Sequence, residues 1–310
     1  MSLDADPNVA VYYGSSPNTK AGDLTKLCGS QNVDIVILAF VNNFSAGGVY
    51  PSAWFGPAGT PANAKLASLV PNLPDCTALA PAIRRCQANG KVVLVSLGGY
   101  GAVSTFTSNA QASNFASVIR NLFGGGQDYL HIRPFGPNII LDGFDIDNES
   151  KDPTSHITFT TRLRQLMTAD SRKRYYLSAA PQCPIPDASI PLGLMRQADF
   201  VWVQFYNNPP CNLNSTGFLP AYKAWSGALS SNNTASATPR LYIGVLAFHG
   251  GGIGYVAGSE LHSSIEVARQ LKLDNAGGLM LWDGSEALPN VDRNGRNYLQ
   301  YAKAAISKQG

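Results

Sequence analysis

The segment Ile139 to Glu149 reads IILDGFDIDNE, an apolar run that ends among the carboxylates Asp142, Asp145, Asp147 and Glu149. Successive side chains of a strand point to opposite faces, so Asp145, Asp147 and Glu149 share one face and Phe144, Ile146 and Asn148 the other. Carboxylates that close together cannot all ionise without cost. Like charges a few Å apart raise at least one pKa, at about 1.4 kcal/mol per unit. Glu149, last in the run and nearest a solvent-filled mouth, is the natural proton donor. An acid kept protonated beside further carboxylates is what acid-catalysed cleavage of a glycosidic bond requires.

Other chemistry can be set against this reading. An EF-hand calcium loop wants glycine at its sixth position and glutamate at its twelfth. Counted from Asp145, those positions hold Ser150 and His156. A divalent cation on Asp145 and Asp147 stays open on residue chemistry alone, since oxygen clusters suit hard cations. A solvated acidic face conflicts with Ile139, Ile140, Leu141, Phe144 and Ile146, which mark a buried strand. The cysteines and histidines show no zinc spacing, and the histidines (His131, His156, His249, His262) read as surface or loop residues.

The elements that must position these acids alternate along the chain. Strand-like runs fall near Val9–Tyr13, Asp34–Val41, Lys91–Leu97, Ile139–Asp147, Tyr175–Ala180, Phe200–Tyr206, Leu241–Ala247 and Gly278–Trp282. Most are continuously apolar, as parallel strands covered on both sides are. Helical patterns are clearest at Thr77–Gln87, Ala112–Phe123, Ser155–Met167, Ser259–Leu271 and Arg296–Ser307. Such an α/β alternation predicts a single (β/α)8 TIM barrel, with its chemistry at the C-terminal ends of the strands. No linker-like stretch interrupts it, so residues 1–310 read as one catalytic domain, with 1–7 an unstructured or vector-derived start.

Composition fits that class. Hydrophobic residues make up 45% and charged residues 14%, which argues against disorder. A net charge of +3 is too small to imply a nucleic-acid partner. No run approaches the ~18 apolar residues of a membrane span. The start MSLDADPN carries no hydrophobic signal region; a removed secretory leader and an extracellular protein are the expectation.

The acid motif DGFDIDNE resembles the DxxDxDxE signature of glycoside hydrolase family 18, the chitinases and their relatives. VSLGGYG (95–101), SAAPQCPIPD (178–187), WVQFYNNPPC (202–211), GGLMLWDGS (277–285) and AFVNNF (39–44) look like its plant-type, class III branch, also found in fungi. The similarity runs from about Val9 to about Ala305. It implies a β-1,4 chitinase acting with retention, in which the substrate's own acetamido oxygen replaces a protein nucleophile, an exception to the two-carboxylate rule. Glu149 is then the acid, and Asp147 orients the acetamido N–H. Asp145 shares a proton with Asp147 as a coupled pair, and Tyr206 meets the acetamido carbonyl. Asp142 reads as structural.

The same resemblance implies substrate contacts at Gln204, Trp282, Met280, Asn42, Tyr12, Gly98, Gly99 and Ala180, with Trp282 the floor of the sugar site and Met280 packed below it. No cofactor or metal is expected, and the partners are chitin and N-acetylglucosamine oligosaccharides bound by a monomer. About thirty residues separate Ala247 from Gly277, too few for the α+β insertion that deepens the cleft of exo-acting relatives. An open groove and endo action follow.

Disulfides Cys28–Cys86 and Cys183–Cys211 are likewise implied, leaving Cys76 free. Asparagines in N-x-S/T patterns are Asn43, Asn148, Asn214 and Asn232. Asn148, inside the acid motif, is not expected to carry a glycan. Plant members read YWGQ where this chain has Tyr12-Tyr13-Gly14-Ser15, so Ser15 stands where a glutamine contact is lost. Asn148 replaces a usually apolar residue. An endo-β-N-acetylglucosaminidase acting on N-glycans uses the same acid motif, and non-catalytic lectins or inhibitors share the barrel. The second class typically loses the acid or its neighbours, which are all present here.

Overall fold

The computed structural model describes residues 7–45, 48–59, 68–231 and 237–307. Its strands are β1 (Asn8–Tyr13), β2 (Ile35–Asn43), the two-residue β3 (Ser52–Ala53), β4 (Val92–Gly98), β5 (Gly143–Asp147), β6 (Tyr176–Ala179), β7 (Phe200–Gln204), β8 (Arg240–Leu246) and β9 (Ala276–Trp282). The sheet runs β1-β9-β8-β7-β6-β5-β4-β2-β3, and β1 pairs with β2, so eight parallel strands close on themselves. Among the described strands only β3 is antiparallel, an appendage on β2. The chain is a (β/α)8 barrel, as its alternation predicts.

Period two explains the apolar runs. Val9, Val11 and Tyr13 face the outer core beneath the helices, with Val36, Leu38, Val93 and Val95. Ala10, Tyr12, Ile35, Ile37, Leu94, Phe200, Trp202, Tyr242 and Met280 fill the barrel interior. Both faces are buried, so both are mostly apolar, and the buried polar side chains of β4, β5 and β6 pair with one another.

Around the barrel lie α1 (Asp23–Gly29), α2 (Ala80–Ala88), α3 (Asn109–Phe123), α4 (His156–Thr168), α5 (Leu192–Met195), α6 (Phe218–Ser230), α7 (Gly258–Arg269), α8 (Gly284–Ala287) and α9 (Tyr298–Ile306). Ser108 caps α3 through the Gln111 amide, and Asn297 with Gln300 forms a capping box on α9. The expected Thr77–Gln87 helix opens as a 3-10 turn, Thr77–Leu79, and becomes α-helical at Ala80. Disulfide Cys28–Cys86 staples α1 to α2 across 58 residues, a loop closure worth about 4 kcal/mol in a chain-entropy account. Disulfide Cys183–Cys211 ties the segments after β6 and β7, and Cys76 is free and buried.

Two expectations need correction. The strand expected at 139–147 begins only at Gly143 and ends at Asp147, so Glu149 lies two residues beyond it. Residues 139–142 approach along the barrel's lower rim, where Asp142 accepts from Lys173 Nζ (2.6 Å) and from the Val93 amide (2.8 Å). His156 is not a surface residue: it starts α4 with 1% exposure, its ring 5.0 Å from that of Phe106. An apolar pocket under α4 takes the imidazole because Nδ1 can bond the Thr154 carbonyl at 3.1 Å. The expected chain start, residues 1–6, and Asn232 lie outside the described residues. Among the described residues no helix is long and apolar enough to cross a membrane.

Candidate active site

The acids converge at the C-terminal end of β5. Asp145 points into the barrel, wholly buried, between its register partners Ser96 on β4 and Ser178 on β6. Its Oδ2 accepts from Tyr12 Oη (2.7 Å) and Ser96 Oγ (2.6 Å). Its Oδ1 accepts from Ser178 Oγ (2.6 Å) and Trp202 Nε1 (2.8 Å). Burial raises its pKa, and these four donors pull the other way. Tyr12 is thus a buried partner of Asp145, beneath the cleft and not on its wall.

Asp147, one pleat higher, is buried and accepts from Gln204 Nε2 at 3.2 Å. Burial, then the charges of Glu149, Asp145 and Asp187, hold its pKa well above the ordinary carboxylate value. Glu149 is half-buried at the mouth. Burial first and the Asp187 carboxylate second push its pKa up to about 7. A carboxylic acid titrating there is protonated across the mildly acidic range and can return as a base near neutrality.

A cleft of about 890 Å³ opens above these acids, toward the upper end of the range for ligand-binding sites. Asp147, Glu149, Gln204, Tyr206, Trp282, Asn42, Gly98 and Ser15 all line it. Trp282 ends β9 with its ring stacked on Phe40 (5.9 Å, 24°) and edge-on to Tyr12 (5.4 Å), so an apolar floor is fixed in place. Asn42 is oriented by Ser52 Oγ at 2.6 Å.

Met280 is buried in the barrel interior below Trp282, the place the resemblance implies for it, and makes no part of the cleft wall. Three of the expected sugar contacts are placed otherwise. Ala180 is buried too, and its carbonyl accepts from Gln204 Nε2 at 2.9 Å, so it orients that amide. Tyr12 serves Asp145, as above. Gly99 has φ +91°, and a β-carbon there would come 2.7 Å from the Phe40 ring. Glycine at 99 therefore makes room for the aromatic floor.

Lining residues that the motif reading did not assign are Gln182, Asp187, Asn208, Phe40, Trp54, Tyr100 and Lys151. Tyr100 (94% exposed) and Trp54 (50%) present aromatic faces on the rim. Gln182 and Asp187 belong to the SAAPQCPIPD stretch. A polar pair just past an apolar strand in a barrel was the available signal for them. Asp187 is anchored by the amides of Gln182, Ser189 and Ile190 (2.8, 2.8 and 2.6 Å).

The Asn148 side chain is buried and engaged by Ser104 Oγ (2.6 Å), the Asp152 carbonyl (3.0 Å) and the Ser189 carbonyl (2.8 Å). It clamps the loop after the acid. Asn214 is exposed, and Asn43 is half-buried at the end of β2. Among the described residues no cluster of His, Cys, Asp and Glu has the geometry to hold a metal ion.

The sequence of Glycosyl hydrolases family 18 matches residues 8–249 of this chain. Endochitinase 3 of Metarhizium anisopliae is 38% identical over 286 residues, 91% of this chain and 93% of the relative. Among solved structures, the chitinase ICChI from Ipomoea carnea superposes with a TM-score of 0.77 at 26% identity, over 96% of this chain and all of that one. A xylanase and alpha-amylase inhibitor protein, XAIP-II from Scadoxus multiflorus, superposes equally well (0.77, 26%), over 98% of this chain and all of that one. With its acid motif at the mouth of a closed parallel barrel and these matches along nearly its whole length, the chain belongs to glycosyl hydrolase family 18.

Proposed function

We propose that this protein is an endo-acting chitinase that hydrolyses β-1,4 bonds between N-acetylglucosamine units with retention, by substrate assistance. One observation carries the reading: Glu149, titrating near 7, shares an open cleft with Asp147, Tyr206 and Trp282. The acetamido oxygen of the bound sugar attacks C1 as the glycosidic C–O bond breaks, and Glu149 gives its proton to the leaving oxygen. Asp147, its shared proton passed to Asp145, accepts a hydrogen bond from the acetamido N–H and offsets the charge of the oxazolinium ion. Tyr206 donates to the acetamido oxygen. Glu149, now a carboxylate, takes a proton from the water that reopens the ring.

Endo action is supported by the chain between β8 and β9, which holds only the 3-10 turn His249–Gly251 and α7. No inserted domain walls the cleft there, so a polymer can lie across it. Two disulfides support an extracellular setting.

A second reading, a non-catalytic inhibitor or lectin, has the likeness to XAIP-II in its favour. The intact set Asp145, Asp147, Glu149 and Tyr206 supports the enzyme instead. Product analysis on a chitin hexamer separates the two. Short oligomers from internal cuts are expected, whereas an uncut hexamer would leave the binding protein, and release of single sugars from one end alone would contradict endo action.

A further inference from the structure

A chain of amides runs from the loop after β7 to both acids. Asn208 Nδ2 donates to Gln182 Oε1 at 2.6 Å and to the Tyr206 carbonyl at 3.0 Å. Gln182 Nε2 donates to Glu149 Oε2 at 3.4 Å and to Gln204 Oε1 at 3.1 Å. Gln204 Nε2 then donates to Asp147 Oδ1 and the Ala180 carbonyl. Each amide nitrogen faces an acceptor, and the amide oxygens of Gln182 and Gln204 face donors, so neither glutamine can flip without setting like against like.

Gln182 is the hub, and its surroundings fix it further. Lying just beyond the end of β6, it pairs in register with Gln204, the last residue of β7. Its own backbone N–H is held by Asp187 Oδ2 at 2.8 Å. Cys183 follows it directly, and its disulfide partner Cys211 donates its amide to the Asn208 carbonyl at 2.9 Å. The disulfide therefore fastens both ends of the Asn208–Gln182 link.

A protonated carboxyl group has one oxygen that donates and one that only accepts. The oxygen already taken by an N–H donor is the accepting one. We propose that Gln182 is the positioning residue of Glu149: its fixed amide holds Oε2 as the acceptor and leaves the transferable proton to Oε1. The proposal rests on reading Glu149 as the acid. The charged or titratable groups around Glu149 are Asp147 below it, Asp187 on the loop after β6, Tyr206 after β7 and Lys151 two residues on. Gln182 is a neutral donor among them, beside Gln204, whose amide also favours the ionised form of Glu149.

The test is steady-state kinetics of the full chain on chitin hexamer across pH, with melting curves, for wild type, Gln182→Ala, Asn208→Ala and Glu149→Gln. Gln182→Ala should lower kcat about tenfold or more, the scale of a hydrogen bond to a charged group, with KM within about threefold. The basic limb of its kcat/KM profile should move to higher pH, because the lost N–H favoured the ionised form. Asn208→Ala, which frees Gln182 to turn, should shift the limb the same way by less, and it carries the test if Gln182→Ala does not fold. Wild-type kcat with an unmoved limb, or a rise in KM alone, would overturn the proposal. An inactive Glu149→Gln beside an unaffected Gln182→Ala defeats this inference only. A Glu149→Gln enzyme that still turns over defeats the assignment of the acid itself.

Discussion

Asp145 and Asp147 stand two residues apart on one face of β5, both buried, yet their hydrogen-bonding is opposite: four side-chain donors reach Asp145 and one, from Gln204, reaches Asp147. Buried charge is tolerated only where donors meet it. Asp145 can hold a negative charge against that network. Asp147, flanked by Asp145 and Glu149, is pushed toward its protonated form. The sharing of a proton that the resemblance implies for this pair is thus weighted toward Asp147, the member that faces the cleft.

Glu149→Gln should abolish hydrolysis and leave oligosaccharide binding intact. The amide keeps the shape but has no proton to give, and general acid catalysis is worth about 10²–10⁴-fold. Calorimetric titration with chitin oligomers should return near wild-type affinity. Near-normal turnover by the purified variant would sink the assignment.

The pH profile follows from the raised value. Glu149 must be protonated to act as the acid, so kcat/KM should be full below its pKa and fall as pH rises through about 7. The falling limb belongs to the carboxyl cluster as a whole, because Asp147 and Asp187 interact with Glu149. A profile flat to pH 9 would contradict the protonated donor.

The acetamido route makes its own demands. Two inversions at C1 mean that the first product is the β-anomer, visible by NMR before mutarotation. Fully deacetylated chitosan and cellulose should not be cut, and a thiazoline mimic of the oxazolinium ion should inhibit. Tyr206→Phe should lower kcat more than it raises KM, since the hydroxyl acts mainly as the ring forms. Comparable rates on chitin and on the deacetylated polymer would end this account.

A stability prediction concerns Asp283, the cap of α8. Its Oδ1 accepts from the Glu286 amide, whereas its buried Oδ2 has no hydrogen-bond partner. Burial raises its pKa from 3.8 to about 7. The folded state therefore keeps a proton that the unfolded chain has lost, and stability falls as pH rises from about 4 through about 7. At 1.4 kcal/mol per unit, the cost approaches ~4 kcal/mol above that window. Asp283→Asn keeps the cap and cannot ionise, so its melting temperature relative to wild type should climb between pH 4 and pH 8. A constant difference across that range would refute the argument.

The sequence by itself determined the barrel and where along the chain the carboxylates cluster. Continuous apolar runs such as VAVYY and IVILAF can be satisfied only by strands buried on both faces, and their alternation with helices leaves little but a parallel barrel. Period two placed Asp145 and Asp147 on one side, a local rule that needs no partner strand, whereas Glu149 lies past the end of the strand. The limits of that locality show at Ile139–Asp142, apolar enough for a strand but lying below the one that forms. They show again at His156, whose burial depends on Phe106 from another loop.

The roles of Tyr12, Ala180 and Gly99 were decided only by tertiary structure. Each was read as touching sugar, and each instead supports a group that lines the cleft or lies beneath it, Asp145, Gln204 and Phe40 in turn. The amide relay through Gln182 joins residues 149, 182, 204 and 208, and no spacing rule links them. It exists because β5, β6 and β7 are neighbours in the closed sheet and because a disulfide draws the segments after β6 and β7 together. Sequence periodicity reports which face a side chain takes. Which donor it meets there depends on strand order and register, set by packing of the whole chain.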